Sequence, residues 1–438
     1  MKILIRDCTI LTLADPPVRR HVWLAISEGQ IQEIAAEPFR GAEATFDQVL
    51  SGTDRLVLPG LINAHTHLAM VLMRGYADDL PLQRWLTEAI WPVEERLSDE
   101  DVYWASLLGL AEMIRSGTTC FADMYFHMDA VAQAVQESGL RANLARGLVA
   151  PEPDAEMEAK LADTERFIQK FNGAAQGRIQ VSVAPHAIYT CCDQLWERAI
   201  RLSERYKILI HTHLCETRRE VEESQQRWGE SPIEHLDKLG LFRRPVLAAH
   251  CVHLREQDIE ILAQHQVQVV HNPGSNLKIA SGIAPLSRLL QAEINVALGT
   301  DGASSNNNLD LLEEMRLAAL LQKGILAEAT ALPAPQALRL ATVNGARALG
   351  LATELGSVEP GRRADLILMD TGGPHWIPDY NPVSNLVYAA HASDVRTVIV
   401  EGQLIMKEGN ILTFDEEEVL ARGRALQEKY APDRGGRS

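Results

Sequence analysis

No apolar run in this 438-residue chain reaches the roughly 18 residues of a membrane span, and Lys2, Arg6 and Asp7 interrupt any signal-peptide core at its start. A membrane is not expected as a partner, and the chain reads as cytoplasmic. Positive charge is also short. Against 59 Asp and Glu stand 42 Lys and Arg, a formal net charge of −17, which favours solubility and repels polyanions, so nucleic acid is not expected as a partner either. Cysteine is sparse: six residues with no repeated CxxC spacing, several inside or beside strand-like runs. They read as buried thiols rather than disulfides. Internal repeats and low-complexity tracts are missing, so the chain is not a repeat array.

What is present is length and a change of rhythm. The chain exceeds what one hydrophobic core usually serves, which predicts a large domain and a smaller one. Short strand-like runs at 2–5, 22–26 and 30–34 are broken by Asp15-Pro16-Pro17 and Glu28-Gly29, a strand-rich opening unit. From residue 57 onward, eight apolar runs (57–63, 118–123, 142–149, 179–184, 208–213, 246–250, 267–271 and 294–298) alternate with helical stretches. Ser98 with Asp101 forms a capping box that opens a helix at 99–115, ended by Gly117; 193–205 and 310–321 look similar. Repeated strand–helix units over about 250 residues predict a (β/α)8 TIM-like barrel, a fold that carries its chemistry at the C-terminal strand ends. After a helix at 335–349, strand-like runs return at 365–369, 395–400 and 403–406. These complete the opening sheet, so the expected division is a discontinuous β-sandwich (1–58 with 361–412), a catalytic barrel (59–360), and a C-terminal helix and tail (413–438). The helix is expected at 415–430 and fraying at 431–438.

Metal-friendly side chains fall just after these runs. His65 and His67 follow the first, and residues two apart on an extended strand face the same way, so both imidazoles can reach one ion. His211 and His213 repeat that spacing, with Glu216 three residues beyond. His186 closes the fourth run, His250 the sixth, and Asp301 follows the eighth. Three imidazoles and a carboxylate suit zinc or iron(II) with room for a water. A Lewis acid so held lowers the pKa of that water toward ~7, which points to hydrolysis.

The segments PGLINAHTHLAM, HTHLCET, LAAHCVHL, HNPGSNLKIASG and LGTDGASSNNNLDLLEEM, in that order, resemble the amidohydrolase superfamily in its aminohydrolase branch. The nearest likeness is to the 5'-methylthioadenosine/S-adenosylhomocysteine deaminases, from the opening strands to about residue 406. The resemblance implies one divalent metal per chain, Zn2+ with Fe2+ as the alternative, held by His65, His67, His213 and Asp301. It makes Glu216 the proton shuttle to a ring nitrogen, His250 the residue that orients the attacking water, and Asp301 both ligand and proton acceptor. His211 is left as structural. Binuclear relatives carry a carboxylated lysine at the end of strand four, whereas residues 181–189 here read VSVAPHAIY, which favours a mononuclear site and deamination.

The same resemblance makes residues 80–94 a lid, with Trp85 in the pocket wall and Glu94 on the ribose diol. It sets His186 on the sugar side and Arg146 at the amino-acid end of S-adenosylhomocysteine. The chain departs from the pattern at 150–156, where a loop able to carry a second arginine reads APEPDAE. Acidic side chains there repel a carboxylate tail. The expected substrate is therefore the uncharged thioether 5'-methylthioadenosine, with adenosine and S-adenosylhomocysteine slower. Another purine, pyrimidine or triazine ring on the same metal is the alternative, and a non-enzymatic scaffold is disfavoured by the full ligand set. The resemblance also implies a homodimer or larger assembly.

Overall fold

The computed structural model describes residues 1–36 and 43–431. Eight parallel strands form one sheet in simple sequence order: Leu61–Thr66, Thr118–Tyr125, Arg141–Leu148, Ile179–Pro185, Ile210–Leu214, Val246–His250, Gln268–His271 and Val296–Leu298. They are called barrel strands one to eight. The last meets the first just beyond its end, where the Asp301 N–H donates to the His65 carbonyl at 3.0 Å. Asn63 and Thr300 exchange two further hydrogen bonds, at 2.7 and 3.0 Å. The strands are apolar on both sides because helices cover the outside and side chains fill the inside. Ile62, Cys120, Leu247, Val270 and Ala297 are packed in the interior together with Ala346 and Leu349.

Both chain ends build a second sheet, a nine-stranded mixed path. Its members are Ile3–Leu11, Val18–Ser27, Gln30–Ala35, Gln48–Ser51 and Arg55–Pro59 from the start, with Leu366–Asp370, Val395–Val400, Gln403–Lys407 and Asn410–Ile411 from the end. The join is the antiparallel pairing of Arg55–Pro59 with Leu366–Asp370. Ile3, Ile5, Ile10, Leu24, Ile26, Leu366, Leu368 and Ile399 form a core of its own. The two halves of the expected sandwich are thus knitted into one hydrogen-bonded sheet.

Two expected elements divide. The run at 57–63 is two strands, not one, because Gly60 sits between them with its N–H on the Asp365 carbonyl at 2.9 Å. A Cβ there would lie 2.0 Å from Thr119 Oγ1, so the handover from small sheet to barrel needs a glycine. The helix expected at 335–349 is Ala334–Leu340 followed by Val343–Ala348. Its break turns the Ala341 carbonyl to accept the Ile62 N–H at 2.9 Å, and Gly345 then packs against Ile62, where a Cβ would come within 2.8 Å.

The helix Asp99–Arg115 has the predicted capping box at Ser98 and Asp101. The same Asp101 accepts from Lys429 and Tyr430 of the closing helix Glu416–Tyr430, so a cap and a docking contact share one carboxylate. All six cysteines are free and buried. No described helix is long and apolar enough to cross a membrane. Residues 432–438 of the expected frayed tail lie outside the described residues.

Candidate metal centre and active site

The ends of barrel strands one, five, six and eight bring His65, His67, His213, His250 and Asp301 together. Two groups, His65 with His67 and His213, and His65 with His250 and Asp301, have ligand atoms all within 4.8 Å of one another. Each imidazole turns one nitrogen away. His67 Nδ1 donates to the Met124 carbonyl at 2.5 Å and His213 Nδ1 to the His186 carbonyl at 2.9 Å. With these protons committed, both Nε2 lone pairs face inward, 3.2 Å apart. His65 Nδ1 lies 2.8 Å from His211 Nε2, and its own Nε2 is buried without a hydrogen-bond partner, 3.5 Å from Asp301 Oδ1. An orphaned nitrogen at the centre of converging imidazoles and a carboxylate fits a divalent ion.

Charge in the cluster is arranged around Asp301. Burial opposes its ionisation, yet the surrounding histidines hold its pKa well below the usual range. Its Oδ2 accepts from Ser275 Oγ at 2.6 Å and Ser305 Oγ at 3.1 Å, and its Oδ1 from the Gly302 N–H at 2.7 Å. His65 is pushed down to about 4, chiefly by burial. Neutral imidazole is the form that ligates.

Glu216 and His250 stand beside this cluster. His250 Nδ1 donates to Asn276 Oδ1 at 2.8 Å; its Nε2 is 4.0 Å from Glu216 Oε1 and 3.9 Å from Asp301 Oδ2. Burial works against a charge on His250, but the two carboxylates outweigh it and raise its pKa. Burial raises that of Glu216. The Glu216 backbone is held in turn: Glu220 accepts the N–H groups of Cys215 and Glu216, both at 2.8 Å.

Above the cluster opens a cavity lined by Trp85, Glu94, His186, His213, Glu216, His250 and Asp301, among others. The expected lid is present as Leu82–Arg84, a wide π-helical turn Trp85–Ile90, and Trp91–Glu94. Pro92 lacks the N–H that would bond the Glu88 carbonyl, and the widened turn accommodates that loss. Trp85 and Glu94 are thereby buried in the cavity wall. Burial pushes Glu94 up to about 7, with Tyr125 opposing. His186 Nδ1 is 3.0 Å from Thr190 Oγ1, and its ring is 4.6 Å from that of His213.

Arg146 is the exception among the expected site residues. On barrel strand three its neighbour Ala145 packs inward with Met124 and Ala184, so Arg146 points outward and pairs with Asp163 of the helix Ala155–Phe171 at 2.8 Å. Strand parity removes it from the cavity, whose lining contains no arginine or lysine. Conversely, Tyr125, Phe126, Tyr189 and Ser305 line the cavity without having been singled out. Tyr125 escaped because the strand-like run stops at Asp123 in the sequence, whereas the strand continues to Tyr125.

Residues 56–405 match the amidohydrolase family model. The chain is 50% identical over 423 residues to a 5-methylthioadenosine/S-adenosylhomocysteine deaminase of Moorella thermoacetica, covering 96% of this chain and 98% of that protein. It is 51% identical over 408 residues to the protein of that description in Syntrophomonas wolfei, covering 93% and 94%. Among solved structures it resembles a zinc-bound adenosine deaminase from Xanthomonas campestris, with TM-score 0.89, 36% identity and 98% of each chain covered. The chain belongs to the amidohydrolase family, in the branch that holds the 5-methylthioadenosine/S-adenosylhomocysteine deaminases.

Proposed function

We propose that this protein is a zinc-dependent deaminase of adenine nucleosides that acts best on 5'-methylthioadenosine, yielding 5'-methylthioinosine and ammonia. The observation that carries the reading is a buried acid, Glu216, and an oriented imidazole, His250, beside one donor cluster on the floor of an aromatic-walled cavity.

A zinc ion held by His65, His67, His213 and Asp301 would supply an acidified water. Asp301 takes that water's proton, while His250, fixed by Asn276, orients the oxygen toward C6. Glu216, whose pKa is raised by burial, gives a proton to N1 of the ring as the oxygen adds. The C6–N6 bond then breaks, the proton held by Asp301 goes out with the amine as ammonia, and C6 becomes a carbonyl as the oxygen's remaining proton returns to Glu216. Glu94 accepts from the ribose hydroxyls, Trp85 covers the nucleoside, and His186 meets its sugar side.

Preference for an uncharged 5' tail rests on charge. Among the described residues no lysine or arginine lines the cavity, Arg146 is engaged by Asp163, and the loop at 150–156 carries Glu152, Asp154 and Glu156. A terminal carboxylate therefore finds no lysine or arginine counter-ion in the cavity wall. The similar zinc-bound structure supports zinc over iron(II), and metal analysis should find about one ion per chain. Glu216→Gln tests the acid: it should keep that ion and lose about 10²–10⁴-fold in turnover, and a wild-type rate would refute the assignment.

A further inference from the structure

Two polar atoms in the cavity wall lie close together without partners. Tyr125, the last residue of barrel strand two, is 3% exposed, and Glu94, the last residue of the lid helix, is 8% exposed. Among the described residues neither Tyr125 Oη nor Glu94 Oε1 makes a hydrogen bond of full geometry, although the two side chains interact at longer range. They are near enough to feel each other. Burial pushes the phenol well above its ordinary pKa and the Glu94 carboxylate adds to that push. A buried phenol and a buried carboxyl oxygen without well-formed hydrogen bonds are costly unless a ligand completes them.

The chemistry of that ligand follows from the pair. A carboxylate accepts and a phenol donates, so the missing group must offer an O–H and a lone pair in the same place. An amine offers donors alone and a carbonyl acceptors alone, whereas an alcohol, or two adjacent ones, offers both. The surrounding wall of Trp85, Leu86, Trp91 and Phe126 is largely apolar, so selectivity for hydroxyls draws on these two side chains.

We infer that Tyr125 is a specificity-determining residue that donates its phenolic hydrogen bond to an oxygen of the ribose 2',3'-diol whose O–H groups Glu94 accepts. This rests on the adenine-nucleoside reading above and adds to it a residue that reads the sugar. A base lacking ribose, or a deoxynucleoside, leaves one or both wall groups unsatisfied in the complex.

The test crosses one protein hydroxyl with the substrate's hydroxyls. Steady-state deamination of adenosine, 2'-deoxyadenosine and 3'-deoxyadenosine is measured for the zinc-loaded wild type and for Tyr125→Phe. Tyr125→Phe should lose about tenfold in kcat/KM on adenosine, mostly through KM. On the deoxynucleoside that lacks the partner oxygen it should lose less than about twofold. Calorimetric titration with inosine and 2',3'-dideoxyinosine should give the same discrimination without turnover, and the variant should unfold no earlier than wild type, since it deletes an unsatisfied group. Equal losses on all three substrates would place the hydroxyl's role in the fold, and no loss on any would take it off the sugar; either overturns the inference. So does a wild type indifferent to the diol, although deamination itself would then stand. A wild type that deaminates no nucleoside refutes the functional reading, and this inference with it.

Discussion

An imidazole has two nitrogens, and in this site one of each working pair is committed. The Nδ1 atoms of His67, His213 and His250 are spent on the Met124 carbonyl, the His186 carbonyl and Asn276, and that of His65 on His211. The convergence of these imidazoles was legible because an HxH after a strand obeys the two-residue period. The supporting partners were not, since a carbonyl leaves no signature and Asn276 is one polar residue among many. His211 was read as structural, and its place behind His65 gives that word a content: it fixes the ring and tautomer of a ligand. His211→Ala should therefore weaken zinc binding by about 10–100-fold in competition with a chelator; unchanged affinity would show that His65 needs no support.

At the scale of elements, the site depends on turns that leave the strands. Barrel strand two holds the turn after strand one through Asp123, which accepts the Leu68 N–H at 2.7 Å while its other oxygen is unpartnered. Burial pushes Asp123 up to about 7. A carboxyl whose folded pKa is raised stabilises the fold while protonated, and that contribution is lost as pH rises from its unfolded value of 3.8 through about 7. Asp123→Asn keeps the acceptor for Leu68 and removes the titration. Its stability relative to wild type should rise between those limits, by on the order of 1–4 kcal/mol, and a pH-independent difference in urea midpoints would contradict this. Regular elements such as Asp99–Arg115 were legible from caps and periodicity. The division at Gly60 was not, because the apolar run resumes at once beyond Pro59-Gly60, and only the contact with Thr119 shows why the chain turns there.

The whole molecule is a barrel whose base is tied to a sheet made by both chain ends. Arg141 of barrel strand three and Asp365 beside the closing strands meet at 3.1 Å with both side chains almost fully buried, and Asp365 also accepts the Glu401 N–H at 2.8 Å. Removing one partner of a buried pair leaves the other uncompensated. Asp365→Ala should lower stability by about 3–5 kcal/mol in denaturant, with the metal ligands untouched. A loss below about 1 kcal/mol would mean that the two sheets are joined by packing alone. The barrel and the discontinuous sheet were legible from the change of rhythm near residue 57 and its return near 365. Long-range pairings such as this one carry no local signal.

The central claim is that the proposed metal cluster, Glu216 and a cavity with no lysine or arginine among its described lining residues together deaminate a 5'-thioether nucleoside. The most direct measurement is ammonia release and loss of adenine absorbance by the zinc-loaded protein with 5'-methylthioadenosine, S-adenosylhomocysteine and adenosine. The account predicts one ammonia per nucleoside consumed, with kcat/KM for 5'-methylthioadenosine above that for S-adenosylhomocysteine by at least about tenfold. No ammonia from any of the three would contradict the chemistry, and S-adenosylhomocysteine as the best substrate would contradict the argument from charge.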